Sequence, residues 1–573
     1  MKYSENTIKV LEGRYLLRDR GGRFIENPAG LFRRVAKTVA SAEALWGNNS
    51  AQERWEKAFF ETLSSLKFLP NSPTLLNAGK ENQQLSACFV LPIEDSMEKI
   101  FDAVKEAAII HKSGGGTGFS FSRLRPKDSP VTSTGGTSSG PVSFMEIFNT
   151  ATEAIKQGGA RRGANMGVLR VDHPDIIDFI RIKEVPGKMT NFNLSVALTD
   201  AFLDALSKKE DYPLIDPYTG ETVRKENAAQ IFNLLVEKAW SSGEPGVLFI
   251  DTINKANPTP DISKIESTNP CGEQPLLPYE SCNLGSINLS KFVSDREVDW
   301  EVLAETVHIA VRFLDNVIEV NNYPLNEIRE ITHSNRKIGL GIMGFADLLI
   351  LLGIPYNSIK GVQKGEEIMA FIHSEAKKAS RELAKERGPF PNFKRSIFAK
   401  RKEPPLRNAT VTTIAPTGTI SLIADCSSGI EPLFGVAYTR KAMGSTELLY
   451  VHPHFLDRAK SDGFYSLSLI EKIEKNGSIR NIEEIPQDLK KLLVTTVDMD
   501  YNWHVKMQAA FQRHTDNAVS KTINFPPHIK REEVKESIIM AHDLGCKGLT
   551  IYRLGSREGQ PLEICDYCIG RRG

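Results

Sequence analysis

From about residue 66 to about residue 555 the sequence alternates short β-like runs with longer amphipathic helical patterns, and no linker, internal repeat or low-complexity stretch divides it. Parallel strands need long crossovers, which helices supply, so a chain written this way builds an α/β architecture, a barrel in preference, with its chemistry in loops at strand ends. Strand candidates are 85–91, 166–171, 194–198, 409–414 and 549–552. One helix is expected to open at Asp95, where Asp-Ser-Met-Glu reads as a capping box, and to carry Ile100, Phe101, Val104 and Ala108 on one face. A second pattern, 144–157, aligns Phe144, Phe148, Ala151 and Ile155; longer ones run near 301–321 and 365–387, the latter ending at Gly388-Pro389. Residues 1–65 read as a helical segment, with Leu31, Val35, Val39 and Ala42 at helical spacing, then Trp55, Phe59 and Leu63. Residues 556–573 read as a flexible tail.

Composition limits the partners. Lys plus Arg number 72 against 71 Asp plus Glu, so the overall charge points to neither nucleic acid nor an anionic membrane, and a bound phosphate must be held locally. No apolar run is long enough for a membrane span, and the first twenty residues lack a secretory pattern. Seven cysteines, an odd and sparse set, suit a reducing compartment, so the chain reads as cytoplasmic and any disulfide as catalytic.

The most informative stretch is Ser267-Thr268-Asn269-Pro270-Cys271-Gly272-Glu273: a cysteine bracketed by Pro and Gly, with an amide and a carboxylate two residues to either side. On residues alone three readings stay open. It is an ordinary loop with a thiol; a thiol nucleophile, which needs a histidine not found nearby; or a radical centre, with Glu273 as base and Asn269 as hydrogen-bond donor. Val411-Thr412-Thr413-Ile414 feeding Ala415-Pro416-Thr417-Gly418-Thr419-Ile420 is either a plain turn or a strand end whose N–H groups and hydroxyls receive an anion. Ser113-Gly114-Gly115-Gly116-Thr117-Gly118 lacks the Gly-Lys-Ser/Thr ending of a P-loop and follows a helix, which makes it weak as a phosphate motif. Cys565-Asp566-Tyr567-Cys568 lacks a second pair to complete a zinc site; no metal site is expected, and a dithiol competent for exchange fits better.

NPCGE does not stand alone. With FLPNSPTLLNAG (68–79), LSACFV (85–90), ESCNLGSINL (280–289), GLGIMGFADLL (339–349) and TIAPTGTISLIADCSSGIEP (413–432), the chain resembles the ribonucleotide reductases over about 66–555, in the family's order. The resemblance implies a ten-stranded α/β barrel of two parallel five-stranded halves with a catalytic finger loop. It implies Cys271 as the thiyl radical, Glu273 as the base at the 3′-hydroxyl, Asn269 as a ribose contact, and Cys88 with Cys282 as a redox pair that ends as a disulfide. It assigns substrate binding to Ser72, Thr74, Ala87, Gly116, Asn269, Pro416, Thr417, Gly418, Thr419 and Ile420. Lys156, Gln157, Arg161 and Arg162 fall in its effector and specificity loop, reached by dNTP or ATP across a homodimer interface. Cys565 and Cys568 match its C-terminal redox shuttle, recycled by a thioredoxin-like reductant. Cys426 and Cys546 are left as structural thiols.

The family has three radical sources. Class I large subunits carry adjacent tyrosines near the last strand, whereas Leu549-Thr550-Ile551-Tyr552-Arg553-Leu554-Gly555 has one; the class III glycyl-radical motif is absent and Glu273, which class III lacks, is present. The chain therefore is most similar to the adenosylcobalamin-dependent class II enzymes, acting on diphosphates and supplying DNA precursors. The alternatives are a class I large subunit needing a metal-radical small subunit, and a nucleotide-binding thiol oxidoreductase or regulator. No room is seen before residue 66 for the family's ATP cone.

Overall fold

The computed structural model describes residues 3–131, 135–157, 161–185, 187–442 and 446–556. Ten strands form its principal sheet: β1 (Phe68–Pro70), β2 (Cys88–Leu91), β3 (Gly116–Ser120), β4 (Asn165–Arg170), β5 (Phe192–Leu198), β6 (Gly246–Phe249), β7 (Ser281–Asn288), β8 (Ile338–Met343), β9 (Thr522–Phe525) and β10 (Gly548–Arg553). β2 through β6 pair in parallel, each with the next. β7 pairs in parallel with β8, and β9 with β10. Between β8 and β9, parallel bridges Leu340–Thr412 and Ile414–Val519 carry the ladder, with hydrogen bonds such as Thr413 N to Leu340 O at 3.0 Å and Ile414 N to Ala518 O at 3.1 Å. β6 meets β10, and β2 meets β7, antiparallel. The pairings therefore run in a ring, β2–β6 in one half and β7, β8, 410–414, 517–525 and β10 in the other. β1 lies outside it, antiparallel to β7.

Helices cover the outside for the reason the patterning suggests. Pro28–Ala40 buries Leu31, Val35 and Val39, and Asn49–Ser64 buries Phe59 and Leu63, in one apolar cluster with Val307, Leu314 and Ile372 of the helices Trp300–Val320 and Ile359–Arg387. Three details differ from expectation. Ser96, one residue after Asp95, caps the helix Met97–Ser113 by accepting from Lys99 N, because the Asp95 carboxylate is taken by Arg125 at 2.7 Å. That helix buries Ile100, Ala103, Ala107 and Ile110, which leaves Phe101 outside. The next helix runs Gly140–Ala154, whereas the pattern spans 144–157, and is closed by an extended Ile155; Lys156–Gln157 then pair with Arg161–Arg162 as a short ribbon.

A buried charge cluster ties the N-terminal helices to the barrel. Asp315, wholly buried, accepts from Arg336, Arg387 and Arg407, while Arg387 also reaches Glu43, which binds Arg312. Burial alone would raise the Asp315 carboxyl, but the three guanidinium groups outweigh it and hold it well below its ordinary value of 3.8. A lowered carboxyl contributes stability that is complete above its unfolded pKa and is lost as pH falls through the folded one, so this cluster should hold throughout the neutral range. Asp315→Asn leaves buried guanidinium charge uncompensated and is expected to cost about 3–5 kcal/mol, read as a lower denaturation midpoint at pH 7.

Candidate active site

Inside the ring, Ser267–Thr268 pair with Pro275–Leu276 to make a hairpin. Its tip is a β-turn, with Gly272 N bonded to Asn269 O at 3.0 Å, Pro270 at the second position where its fixed φ suits the turn, and Gly272 at φ +81°. The Asn269 side chain closes the loop by accepting from Gln274 N at 2.9 Å. The loop is held from both halves: Asn193 Nδ2 donates to Pro270 O at 2.8 Å, while Thr413 Oγ1 and Ala518 N donate to Glu273 O at 3.0 and 2.9 Å. The hairpin lies so close to β3 that a Cβ on Gly118 would fall 1.7 Å from Thr268 O, and one on Gly116 3.0 Å from Pro270 Cγ. The glycine run is therefore a helix cap at Gly114 followed by a strand face against which the hairpin packs.

Cys271 stands exposed at the tip, whereas Asn269 and Glu273 are buried beside it. Cys88 and Cys282, 194 positions apart in sequence, are direct partners across β2 and β7, both reduced, both buried, and packed in one small cluster with Leu276 of the hairpin and Ala415. Directly opposed residues have Cβ atoms about 4.5–5.5 Å apart, within a short movement of the ~3.8 Å that a disulfide needs. Asn269 Nδ2 lies 3.2 Å from Cys88 Sγ, so one amide braces the turn and touches the first of the two facing thiols. Burial pushes the Cys282 thiol above its usual range; Lys337 opposes the shift, and Glu280 and Glu273 add to it.

Next to Cys271 and Gly272 a cavity of about 30 Å³ is lined by Ser195, Leu248, Gln508, Ser520, Lys521 and Thr550, among others. Sequence reading missed Gln508, Ser520 and Lys521: they lie more than 230 positions from Cys271 and carry no motif. Ala415–Ile420 leads into the short helix Ile420–Ala424, with Thr417 at φ +55° and its hydroxyl oxygen accepting from Gly429 N at 2.7 Å, which leaves its proton to donate. That helix packs against β1, which leads into Ser72–Asn77. Thr74 Oγ1 engages Asn71 and Leu85 O, and Ser72 Oγ lies 2.8 Å from Tyr15 OH. Ala87 packs against the cysteine cluster. Lys156, Gln157, Arg161 and Arg162 form the ribbon after Gly140–Ala154, while Cys565 and Cys568 lie outside the described residues. Cys546 is fully buried and Cys426 half-buried, consistent with packing roles.

Residues 86–552 match the family described as ribonucleotide reductase, barrel domain, and residues 1–83 match ribonucleotide reductase, all-alpha domain. The chain belongs to the ribonucleotide reductase family. It is similar to the vitamin B12-dependent ribonucleoside-diphosphate reductase of Thermoplasma acidophilum, at 47% identity over 98% of this chain and 80% of that one. To the protein of the same name from Mycobacterium tuberculosis it is 48% identical, over 98% of this chain and 81% of that one. Among solved structures, the Actinobacillus ureae class Id ribonucleotide reductase alpha subunit superposes with a TM-score of 0.80, covering 96% of this chain and 97% of that one at 23% identity, a likeness of fold.

The packing of this reductase makes a direct prediction. Gly118→Ala forces the hairpin off β3 and is expected to abolish turnover while costing about 1–3 kcal/mol, seen as a fall in melting temperature alongside the activity loss.

Proposed function

We propose that this chain reduces ribonucleoside diphosphates to 2′-deoxyribonucleotides by a thiyl-radical mechanism that starts from adenosylcobalamin. The observation that carries the reading is the meeting of Cys271, Asn269 and Glu273 on one turn with the opposed thiols of Cys88 and Cys282. Cys271, at the tip, takes the ribose 3′ hydrogen as its thiyl radical and returns it at the end. Glu273 accepts the 3′-hydroxyl proton and Asn269 orients the sugar. The Cys88–Cys282 pair protonates the departing 2′-hydroxyl, which leaves as water, and its two electrons reduce C2′ as the pair closes to a disulfide. Phosphates rest on the backbone and hydroxyls of 416–420, aided by Ser72 and Thr74 at a neighbouring helix start; Ala87 and Gly116 border the ribose.

The small cavity beside Cys271 marks the side from which the adenosyl group would approach: hydroxyls, amides and Lys521, itself paired with Glu431, supply its polar walls, and among the described residues Gln508 Oε1 is buried without a hydrogen-bond partner. Gln508, Ser195, Ser520 and Thr550 would hold that group. When bound, adenosylcobalamin supplies the one-electron oxidation of the Cys271 thiol. Both relatives named above carry vitamin B12 dependence and diphosphate reduction in their names.

The same reading includes a cytoplasmic homodimer with dNTP or ATP effectors at the 156–162 ribbon and a thioredoxin-like reductant acting through Cys565 and Cys568. Met97, Phe101 and Ile109 stand exposed on the helix Met97–Ser113, which packs against Gly140–Ala154, a face suited to a second copy. Among the described residues no helix is long and apolar enough to cross a membrane. Phe101→Glu is expected to halve the mass measured by light scattering and to remove effector response.

The deciding assay is anaerobic reduction of CDP and CTP by the purified chain with dithiothreitol and effectors, with and without adenosylcobalamin. CDP turnover that depends on the cofactor is expected; turnover only after addition of a metal-containing small subunit would overturn the cofactor assignment. Glu273→Gln is expected to lower kcat by about 10²–10⁴-fold with little change in KM.

A further inference from the structure

The register of the barrel places a third group in line with the two thiols. On one side of Cys282 the antiparallel partner is Cys88. On the other side β7 and β8 run parallel with Asn283 opposite Ile338, and stepping back one residue sets Lys337 opposite Cys282, with the Cys282 Sγ 3.7 Å from Lys337 O. Lateral neighbours in a sheet point to the same face, and so do residues two apart along a strand. Glu280, two residues before Cys282, accordingly meets the Lys337 ammonium at 2.5 Å, and both side chains are only 1% exposed. Glu280 is itself held by Asn335 Nδ2 at 2.6 Å and Leu277 N at 2.7 Å, the latter on the exit of the hairpin. A buried lysine–glutamate pair contributes little stability of its own, because desolvating both charges offsets their attraction. Its position is what it offers: a fixed ammonium on the residue whose carbonyl faces the Cys282 thiol, a setting that favours a thiolate there.

Lys337 also borders a small buried cavity with Lys547, Asp516 and Asn517. Lys547 donates to the carbonyls of Asp516 and Asn517, while Lys377 and His373 bind the Asp516 carboxylate. The nearby carboxylate of Asp516 is thus engaged by other side chains, while the Lys337 ammonium binds Glu280 and the Lys337 carbonyl faces Cys282.

We propose that Lys337 is a positioning residue for disulfide turnover, making Cys282 the sulfur that leaves when the Cys88–Cys282 disulfide is reduced. The proposal rests on the reading of those two cysteines as the redox pair. A dithiol, as one thiolate, attacks Cys88; the S–S bond breaks and its electron pair goes to Cys282, whose thiolate forms beside the ammonium. The second thiol of the reductant then displaces Cys88, forming the reductant's own disulfide, and the two protons of the dithiol end on Cys88 and Cys282. Thiol–disulfide exchange quickens as the leaving thiolate is stabilised, so the ammonium acts on the rate. Glu280 tempers that charge and keeps the lysine in place.

The test needs neither cofactor nor nucleotide. The full chain is oxidised mildly, the Cys88–Cys282 disulfide is verified by peptide mapping, and its reduction by dithiothreitol is followed by acid quench and thiol-specific mass labelling. Lys337→Met combined with Glu280→Gln removes both charges together and is expected to slow reduction by about tenfold. Glu280→Gln alone, which keeps an acceptor for Asn335 and leaves the ammonium unopposed, is expected to speed it. Opposite signs from the two variants are not the outcome of a merely structural pair. Rates within twofold of wild type in both, or slowing in both, overturn the role of Lys337. If the double variant does not fold, Glu280→Gln decides alone: faster exchange supports the role, and an unchanged or slower rate sinks it. A wild-type chain that forms no Cys88–Cys282 disulfide overturns the redox-pair reading itself, and the proposal falls with it.

Discussion

The site depends on one close contact, the lodging of the 267–276 hairpin against β3 where Gly118 carries no side chain. A hairpin inside a ring of strands has to satisfy its own backbone groups and find room where side chains would otherwise fill the interior. The turn meets the first demand with Gly272 N to Asn269 O, Asn269 N to Gln274 O and Gln274 N to Asn269 Oδ1. Glycines on the walls meet the second. Gly116 and Gly118 yield on one half, and on the other Gly339 and Gly341 admit Gln274 and the Thr413 carbonyl, where a Cβ would come within 2.8 and 2.4 Å. Removing side chains from two facing walls costs apolar packing, and the return is a thiol held at a tip whose carbonyls are hydrogen-bonded from both halves of the barrel.

Strand direction does the rest. Each half of the ring is parallel and the seams between halves are antiparallel, so β2 and β7 run past one another and bring Cys88 and Cys282 face to face. Had these strands slipped by one residue, the two sulfurs would point to opposite faces. The same register aligns Lys337, and the same small cluster gathers the cysteines, the hairpin and the start of the 415–420 turn. The facing cysteines, the Cys271 hairpin and the 415–420 turn are thus separate outcomes of a single pairing scheme.

Much of this could be read from the chain. Asn269, Pro270 and Gly272 announce a tight turn around Cys271, and the amphipathic runs near 301–321 and 365–387 announce covering helices, which lie at Trp300–Val320 and Ile359–Arg387, the second beginning six residues before its periodicity becomes plain. Local signals erred where a distant partner competed. Asp95 gave way to Ser96 as helix cap because Arg125 claims its carboxylate, and Phe101 lies outside because neighbouring helices bury the Ile100, Ala103 and Ala107 side of their helix. The run 409–414 joins the ring through bridges at Thr412 and Ile414 and forms no full strand, since the backbone N–H groups of Asn408 and Val411 spend their hydrogen bonds on the side chains of Ser380 and Asp516.

By itself the sequence determined the family and the alternation of strand and helix, and it named the cysteines, carboxylate and amide that are proposed to carry the chemistry, because residue type and short spacing are local properties. Only the tertiary structure decided that Cys88 opposes Cys282, that Asn269 reaches the first of them, that Lys337 stands beside the second, and that Gln508, Ser520 and Lys521 wall the space next to Cys271. Those relations follow from strand register and ring closure, which join residues up to hundreds of positions apart and leave no mark on the intervals between them.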